Sequence, residues 1–248
     1  MRLHRFYIKE ELKTHAVVTI DSPELINQVR RVFRLKVGDH IILFNGTGFD
    51  YECKIDGFED ESKINHHQNI KLNIATVSRS AFSPDRNIYL CAALIKKDHF
   101  EWVVEKATEL GVTNIIPVMA ERSEKKSVNL ERLNKIAIEA SEQSGRGTIP
   151  QISEIMTLEE AVNFSEGPTF AETNIKVLAF HTVGDSLRRS DLRSGEDMTI
   201  FIGPEGGWSE GEVELFHRNN VSIVCLGPQV LRAETAAIAA LSQVVFND

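Results

Sequence analysis

Three cysteines, Cys53, Cys91 and Cys225, stand far apart in a chain of 248 residues. An odd, scattered set with no Cys-x-x-Cys pair supports neither a disulfide framework nor a zinc site. No metal is expected, and the three read as reduced thiols of a cytoplasmic protein. No apolar run approaches membrane-spanning length, and the opening Met-Arg-Leu-His-Arg-Phe-Tyr-Ile has no apolar signal core, so no membrane partner is expected. Gly-x-x-x-x-Gly-Lys-Ser/Thr and Gly-x-Gly-x-x-Gly are both missing; Gly46-Thr-Gly48 and Gly145-Arg-Gly147 lack the third glycine. That leaves no phosphate-cradling loop and no dinucleotide fingerprint. No nucleophile elbow is recognised and His-Glu-x-x-His is missing, so hydrolase readings lack residues. The net charge of -8 is unlike that of a protein coated with nucleic acid, but it is unevenly spread. Residues 1–78 hold 11 Lys and Arg against 11 Asp and Glu, so the whole excess lies in residues 79–248. Nucleic acid would have to meet a local basic patch on an acidic protein.

Two stretches organise the rest. Residues 198–202 and 222–226 are short, largely apolar runs, closed by Gly203-Pro204 and Gly227-Pro228. Runs of that length bounded by Gly and Pro read as strands buried on both faces. Each delivers a glycine-containing loop at its C-terminal end, the edge at which open α/β sheets bind ligands. Gly203, Gly206 and Gly207 carry no side chain, so the backbone there can approach a ligand closely. Ser209-x-x-Glu212 reads as a capping box that starts a helix after the first loop. Glu234 and Thr235 open another helix after the second. A single Gly-Pro loop reads as an ordinary tight turn. Two of them after adjacent strands, the second running on into Leu231-Arg-Ala-Glu-Thr-Ala236, read as a site.

Residues 1–78 read as short strands over 14–20, 41–44, 49–55 and 70–77, with Asn45-Gly-Thr-Gly48 as a hairpin loop, and suggest a small barrel. Ser22-Pro23 begins a short helix through Phe33. Arg30, Arg31, Arg34 and Lys36 are the densest basic cluster of this half, to which Arg2 and Arg5 could add; a solvated helix face is the other reading. His66-His67 has no ligand partner at helical or loop spacing. After a linker over 78–86 the pattern changes to strands over 87–95, 114–119 and 176–180, the last running into His181-Thr182. Between them lie a helix capped by Asp98 and ended by Gly111, and a longer one capped by Asn129 and ended by Gly145. This alternation predicts an α/β domain over 79–248 with a mainly parallel sheet. The final helix, over 234–246, carries Ala236, Ala237, Ala239 and Ala240 on several sides, so it packs on its own sheet or in a subunit interface.

Ile202-Gly-Pro-Glu-Gly-Gly207 and Leu226-Gly-Pro-Gln-Val-Leu-Arg-Ala-Glu-Thr-Ala236 resemble the cofactor loops of SPOUT methyltransferases, and of their 16S ribosomal RNA uridine-N3 family in particular. Val29-Arg-Arg-Val-Phe-Arg-Leu-Lys-Val-Gly-Asp39, Glu105-Lys-Ala-Thr-Glu-Leu-Gly111 and Ala140-Ser-Glu-Gln-Ser-Gly-Arg146 agree in order along nearly the whole chain. The resemblance implies a PUA-like β-barrel over 1–78 that binds RNA through Arg2, Arg5, Arg30, Arg31, Arg34 and Lys36. It implies a knotted, trefoil α/β methyltransferase domain over 79–248 and a homodimer with its cofactor sites at the interface. S-adenosylmethionine would lie among His181, Thr182, Ile202, Gly203, Pro204, Glu205, Gly206, Gly207, Leu226, Gly227, Val230, Leu231, Thr235 and Ala236. Uracil N3 carries a proton at neutral pH and is a poor nucleophile, so a cation that stabilises its anion is needed. Arg232 is the candidate, with an ion pair to Glu234 or Glu205 as its other reading; the base is left unassigned. The implied substrate is small-subunit ribosomal RNA, naked or in the assembled subunit. A sibling activity on a transfer RNA base or a ribose 2'-hydroxyl, and a non-catalytic RNA-binding module, stand as alternatives. The family often has an aromatic residue within 130–135, where this chain has Leu133. Packing of that position on RNA or on a partner subunit would be altered.

Overall fold

Alternating apolar residues in the first part of the chain build a five-stranded sheet. Its strands are β1 (Arg5–Tyr7), β2 (Val17–Ile20), β3 (His40–Phe44), β4 (Phe49–Glu61) and β5 (His67–Arg79), in the order β1-β3-β4-β5-β2. The computed structural model describes residues 3–13, 16–61, 67–82, 84, 86–166, 175–188, 192 and 195–246, so Arg2, His66 and the start of the strand expected over 14–20 lie outside the described residues. β1 runs parallel to β3, and the other pairs are antiparallel. Register shifts between Glu52 and Cys53, and between Ile55 and Gly57, bend the long β4–β5 ribbon. Ile41, Leu43, Cys53, Ile55, Ile70, Leu72 and Ile74 fill the core of this sheet. Burial pushes the Cys53 thiol up to about 12.

Ser22 caps helix α1 (Pro23–Asn27) by accepting the Leu25 N–H at 3.4 Å. The expected helix through Phe33 does not continue as an α-helix; it becomes a π-helical turn, Gln28–Val32.

The chain divides into two units: Met1–Ser83 with Ser141–Thr148, and Pro84–Ala140 with Ile149–Asp248. The inclusion of Ser141–Thr148 in the first unit has a plain physical cause. Its polar groups take up backbone and side-chain donors of that unit. Glu142 Oε1 accepts the Tyr7 N–H at 2.8 Å, the Gly147 carbonyl accepts the Gly48 N–H at 3.0 Å, and the Gly145 carbonyl accepts the Ser80 hydroxyl at 3.3 Å. Gly147 lies so close that a Cβ there would sit 2.5 Å from Ser80 Cβ. Arg146, 3% exposed, has its guanidinium brought down to about 10 by burial.

The second unit holds a seven-stranded parallel sheet. It comprises β6 (Ile88–Ala93), β7 (Asn114–Met119), β8 (Gln151–Ile152), β9 (Met156–Thr157), β10 (Lys176–Ser186), β11 (Met198–Ile202) and β12 (Ser222–Cys225). The order is β12-β10-β11-β6-β7-β8, with β9 also on β7. Side chains alternate across it. Leu90, Ile115, Leu178, Ile200 and Val224 face helices α2 (Lys97–Glu109), α3 (Leu130–Ser144) and α6 (Ala233–Val245). Cys91, Ile116, Ala179 and Phe201 face α4 (Leu158–Glu166) and α5 (Glu210–Arg218). Asn129 caps α3 through the Arg132 N–H at 3.0 Å, as expected. Asp98 does not cap α2: the N-cap is Lys96, with no side-chain cap bond, and Asp98 lies in the first turn. Leu133, 2% exposed, packs in the core under α3, so it meets neither RNA nor a partner. Among the described residues no helix is long and apolar enough to cross a membrane.

Gly147→Ala is expected to lower stability by about 1–3 kcal/mol through overpacking against Ser80. Chemical denaturation checks this, and pairing the change with Ser80→Gly should recover part of the loss.

Candidate functional site

Because β10, β11 and β12 are parallel, the segments that follow residues 180, 202 and 225 all leave from one edge of the sheet. The first is a bulge. β10 pairs Phe180 with Val224, then Asp185 again with Val224, so residues 181–184 are extruded. His181 is half-buried and Thr182 exposed. The His181 Nδ1 accepts the Val183 N–H at 2.9 Å, which closes the bulge locally.

The second segment is a tight turn. Ile202 and Pro204 are buried, Gly203 and Gly207 half-buried, and Glu205 and Gly206 exposed. The Gly207 N–H donates to the Pro204 carbonyl at 2.8 Å, and Gly207 has φ +66, a conformation in which an L side chain is strained. Gly206 is not positioned for close approach of a ligand on its Cβ side: a Cβ there would meet the Arg122 side chain at 3.2 Å. Three side chains brace the turn. The Trp208 indole N–H donates to the Phe180 carbonyl at 3.1 Å, joining this turn to the end of β10. Arg122 Nη1 donates to the Gly206 carbonyl at 2.8 Å. Glu205 Oε1 accepts the Lys96 N–H at 3.4 Å.

The third segment, residues 226–231, is open. Leu226 and Gly227 are half-buried, while Val230 is 81% exposed and Leu231 37%. The backbone groups of residues 227–231 have no hydrogen-bond partner among the described residues. Unpaired backbone donors and acceptors beside exposed apolar side chains suit a flat heterocycle whose edge is read by the main chain. Thr235, exposed, and Ala236, half-buried, follow in the first turn of α6.

Arg232 is the N-cap of α6 and exposed, and its side chain makes no cap bond. It pairs with neither Glu205 nor Glu234 and has no ionic partner among the described residues. Glu234, with a side chain 6% exposed, sends Oε1 to 3.5 Å from His99 Nδ1, and its buried Oε2 has no hydrogen-bond partner among the described residues. Together with Trp102, Arg132 and Ile136 these two line a cavity of about 480 Å³ between α2, α3 and α6. Arg132 is held away from that pair by Glu101, at 2.6 and 2.7 Å.

The described residues of the first unit expected to bind RNA fall into two sets. Arg31, Arg34 and Lys36 are exposed, and Arg30 is half-buried with its guanidinium over the Phe58 ring at 5.1 Å. Arg5 does not belong with them. Its side chain is 5% exposed, bonded to Asp50 at 2.6 and 2.8 Å and to the Arg146 carbonyl at 3.2 Å. A guanidinium so enclosed is a structural strut, not a surface contact for RNA.

Sequence reasoning missed Trp208 and Arg122. Trp208 directly follows the glycine pair and could have been marked; Arg122 is distant in sequence and carried no signal. The expectation that the chain has no nucleophile elbow overlooked Gly207-Trp-Ser209-Glu-Gly211, which has that spacing, after a strand and before a helix. Ser209 does different work. Its hydroxyl, buried, accepts the Glu212 N–H at 3.3 Å, while Glu212 accepts the Ser209 N–H at 2.8 Å and the Glu121 N–H at 2.8 Å. This is the expected capping box.

Residues 83–245 match the family described as RNA methyltransferase domain, and residues 29–57 the one described as RNA methyltransferase PUA domain. Fold and site therefore define the class as an RNA methyltransferase with a PUA-like unit and a parallel-sheet α/β unit. The chain is 33% identical over 250 residues to the ribosomal RNA small subunit methyltransferase E of Rickettsia conorii, covering 98% of this chain and 96% of that protein. The Bacillus subtilis protein of the same name is 29% identical, covering 99% and 97%. The crystal structure of the Neisseria gonorrhoeae protein of that name, bound to S-adenosyl methionine, superposes with a TM-score of 0.84 at 29% identity, covering 98% and 97%. A methyltransferase from Legionella pneumophila with the same bound cofactor gives a TM-score of 0.80 at 29% identity, covering 98% and 97%. The chain belongs to the ribosomal RNA small subunit methyltransferase E family.

Gly207→Ala is expected to cost about 1–2 kcal/mol, since an L residue is strained in the left-handed region. Gly206→Ala should cost less, because Gly206 has no positive φ and the Arg122 side chain it would meet at 3.2 Å need give by only a few tenths of an ångström. Paired denaturation curves check the order of the two.

Proposed function

We propose that this chain transfers a methyl group from S-adenosylmethionine to N3 of a uridine in 16S, small-subunit ribosomal RNA. The observation that carries the reading is the meeting of three loops at one sheet edge, one of them with a backbone unpaired among the described residues, directly before Arg232, which has no ionic partner among them. The cofactor, when bound, offers a methyl group on a positive sulfur centre. Residues 227–231 would hold the adenine edge through the main chain, with Ile202, Leu226 and Leu231 as apolar walls. His181, Thr182, Gly203, Pro204, Glu205, Gly206, Gly207, Val230, Thr235 and Ala236 complete the proposed binding set. The turn braced by Trp208 and Arg122 keeps one wall in place before binding, so less ordering is needed on association.

The uridine must lose its N3 proton for the ring nitrogen to attack. Arg232, beside the N-terminus of α6, would lower the cost of the resulting anion. The guanidinium and the aligned helix dipole both favour negative charge there. Arg31, Arg34 and Lys36, with Arg30 behind them, would take the phosphates. Naked RNA and the assembled subunit both stand as substrates, in the cytoplasm, where the free thiols of Cys53, Cys91 and Cys225 remain reduced.

A homodimer and a trefoil knot go with the same reading. For the dimer, α6 leaves Ala236, Ile238 and Ala239 half-buried, and Trp102 on the adjoining α2 is 43% exposed. For the knot, β12 lies beyond β10 from β11, so the chain must pass β10 to reach it. Light scattering that returns a monomer removes the dimer.

Two measurements test the activity. Nucleoside mass spectrometry of small-subunit RNA from cells with and without this chain should show N3-methyluridine only with it. An unchanged signal, or a methyl group mapped to a ribose or to transfer RNA, overturns the substrate. Arg232→Ala is expected to slow single-turnover methylation at saturating RNA by about 100- to 1000-fold, with S-adenosylmethionine affinity kept. A wild-type rate there removes Arg232 from the chemistry.

A further inference from the structure

The π-helical turn after α1 has a consequence for the surface of the first unit. Leu25, Ile26 and Val29 are buried, and at helical spacing Val32 and Phe33 extend the same apolar stripe. A continued α-helix would turn both inward. Instead the Phe33 N–H donates to the Gln28 carbonyl at 2.9 Å, closing a wider ring, and the added residue rotates the stripe. Val32 becomes 61% exposed and Phe33 40%. The next residue, Arg34, has φ +55, a strained conformation for a side chain of that size. Val37 follows at 60% exposed. π turns and left-handed non-glycine residues both concentrate at functional sites.

What surrounds this exposed stretch is cationic and aromatic. Arg31, Arg34 and Lys36 are exposed, and none has an ionic partner among the described residues. Asp39, the nearest acidic residue in sequence, is turned to the Lys36 backbone, whose N–H it accepts at 2.7 Å. The Phe33 ring is backed by His4, with centroids 4.0 Å apart and planes 35° apart, and by the edge of Phe6 at 5.8 Å. A backed aromatic ring held in the open between free cations has the attributes of a stacking platform for a nucleobase.

We propose that this face binds an unpaired RNA nucleotide, whose base stacks on Phe33 while Arg31, Arg34 and Lys36 take the flanking phosphates. The inference rests on the reading of the chain as an RNA-modifying enzyme, and it adds a single-strand subsite distinct from the uridine to be methylated. Duplex RNA cannot use it, because its bases are already stacked on one another. A protein partner would use the apolar residues but would not need the backed ring.

The test uses the full chain with a single-stranded oligoribonucleotide carrying 2-aminopurine, and a duplex of the same length. The wild type should quench 2-aminopurine on binding. Phe33→Ala and Phe33→Leu should both abolish the quenching and weaken single-strand affinity by about 5- to 100-fold, as expected for one lost base stack. Phe33→Trp should restore both. Duplex affinity should change less than twofold in all three. Phe33→Leu keeps the apolar contact with Phe6, so a loss in that variant with an unchanged thermal midpoint is not unfolding. Unchanged single-strand affinity in Phe33→Leu, equal losses for single strand and duplex, or wild-type binding without quenching would each overturn the platform. Methylation measured at saturating RNA separates the two readings. A wild type that methylates while Phe33 proves irrelevant leaves the function standing and removes the subsite; stacking without methylation does the reverse.

Discussion

All five residues of β11 are buried, and the strand is held between β6 and β10 in continuous parallel register. A strand covered on both faces and paired on both edges cannot shift by one residue without exposing its apolar side chains and burying others badly. Its end is therefore fixed, and with it the start of the Gly203-Pro204 turn. Because β10 and β12 run in the same direction, their ends are fixed at the same edge. The chemistry proposed for this protein needs three irregular segments close together, and the parallel sheet supplies that without requiring them to contact each other.

The two glycine loops meet different physical demands. The Gly203–Gly207 turn is closed by its own backbone bond and braced by Trp208, Arg122 and Glu205. Just beyond it, Glu212 takes two backbone donors, one from its own helix cap and one from Glu121, and so ties α5 to the loop after β7. Residues 227–231 have no such ties among the described residues. One turn is preorganised, and the other presents main-chain groups unpaired among the described residues. The proposed binding site would gain affinity from the first and recognition from the second.

In the first unit the cations are similarly divided. Arg5 and Arg146 are buried where an ion pair, a carbonyl oxygen and a hydroxyl take up part of their donors. Lowering of the Arg146 guanidinium by burial is the mark of that environment. These two hold Ser141–Thr148 in place, while Arg31, Arg34 and Lys36, exposed and without an ionic partner among the described residues, lie on the segment that the π turn displaces. Structural and surface arginines thus come from the same composition, separated only by what surrounds each of them.

Much was legible in the sequence because it depends on neighbours along the chain. The strands that close in Gly-Pro, the Ser209–Glu212 capping box, the Asn129 cap and the helix-ending glycines Gly111 and Gly145 all follow from local spacing and backbone preference. The loop motifs themselves were sufficient to point to the family. The burial of Arg5, the packing of Leu133 in the core, the bracing by Arg122 and the membership of Ser141–Thr148 in the first unit were not legible. Each depends on a partner far away in sequence, such as Asp50 for Arg5 or Gly206 for Arg122. The outward turn of Val32 and Phe33 was hidden for a related reason. A helical pattern assigns faces on the assumption of a regular period, and one wider hydrogen-bonded ring at Gln28 changes every face after it. The sequence alone determined the strands and the loops on which the proposed chemistry rests. The tertiary structure decided which charges are buried and which side chains face solvent, because burial is a property of the surroundings that packing brings together.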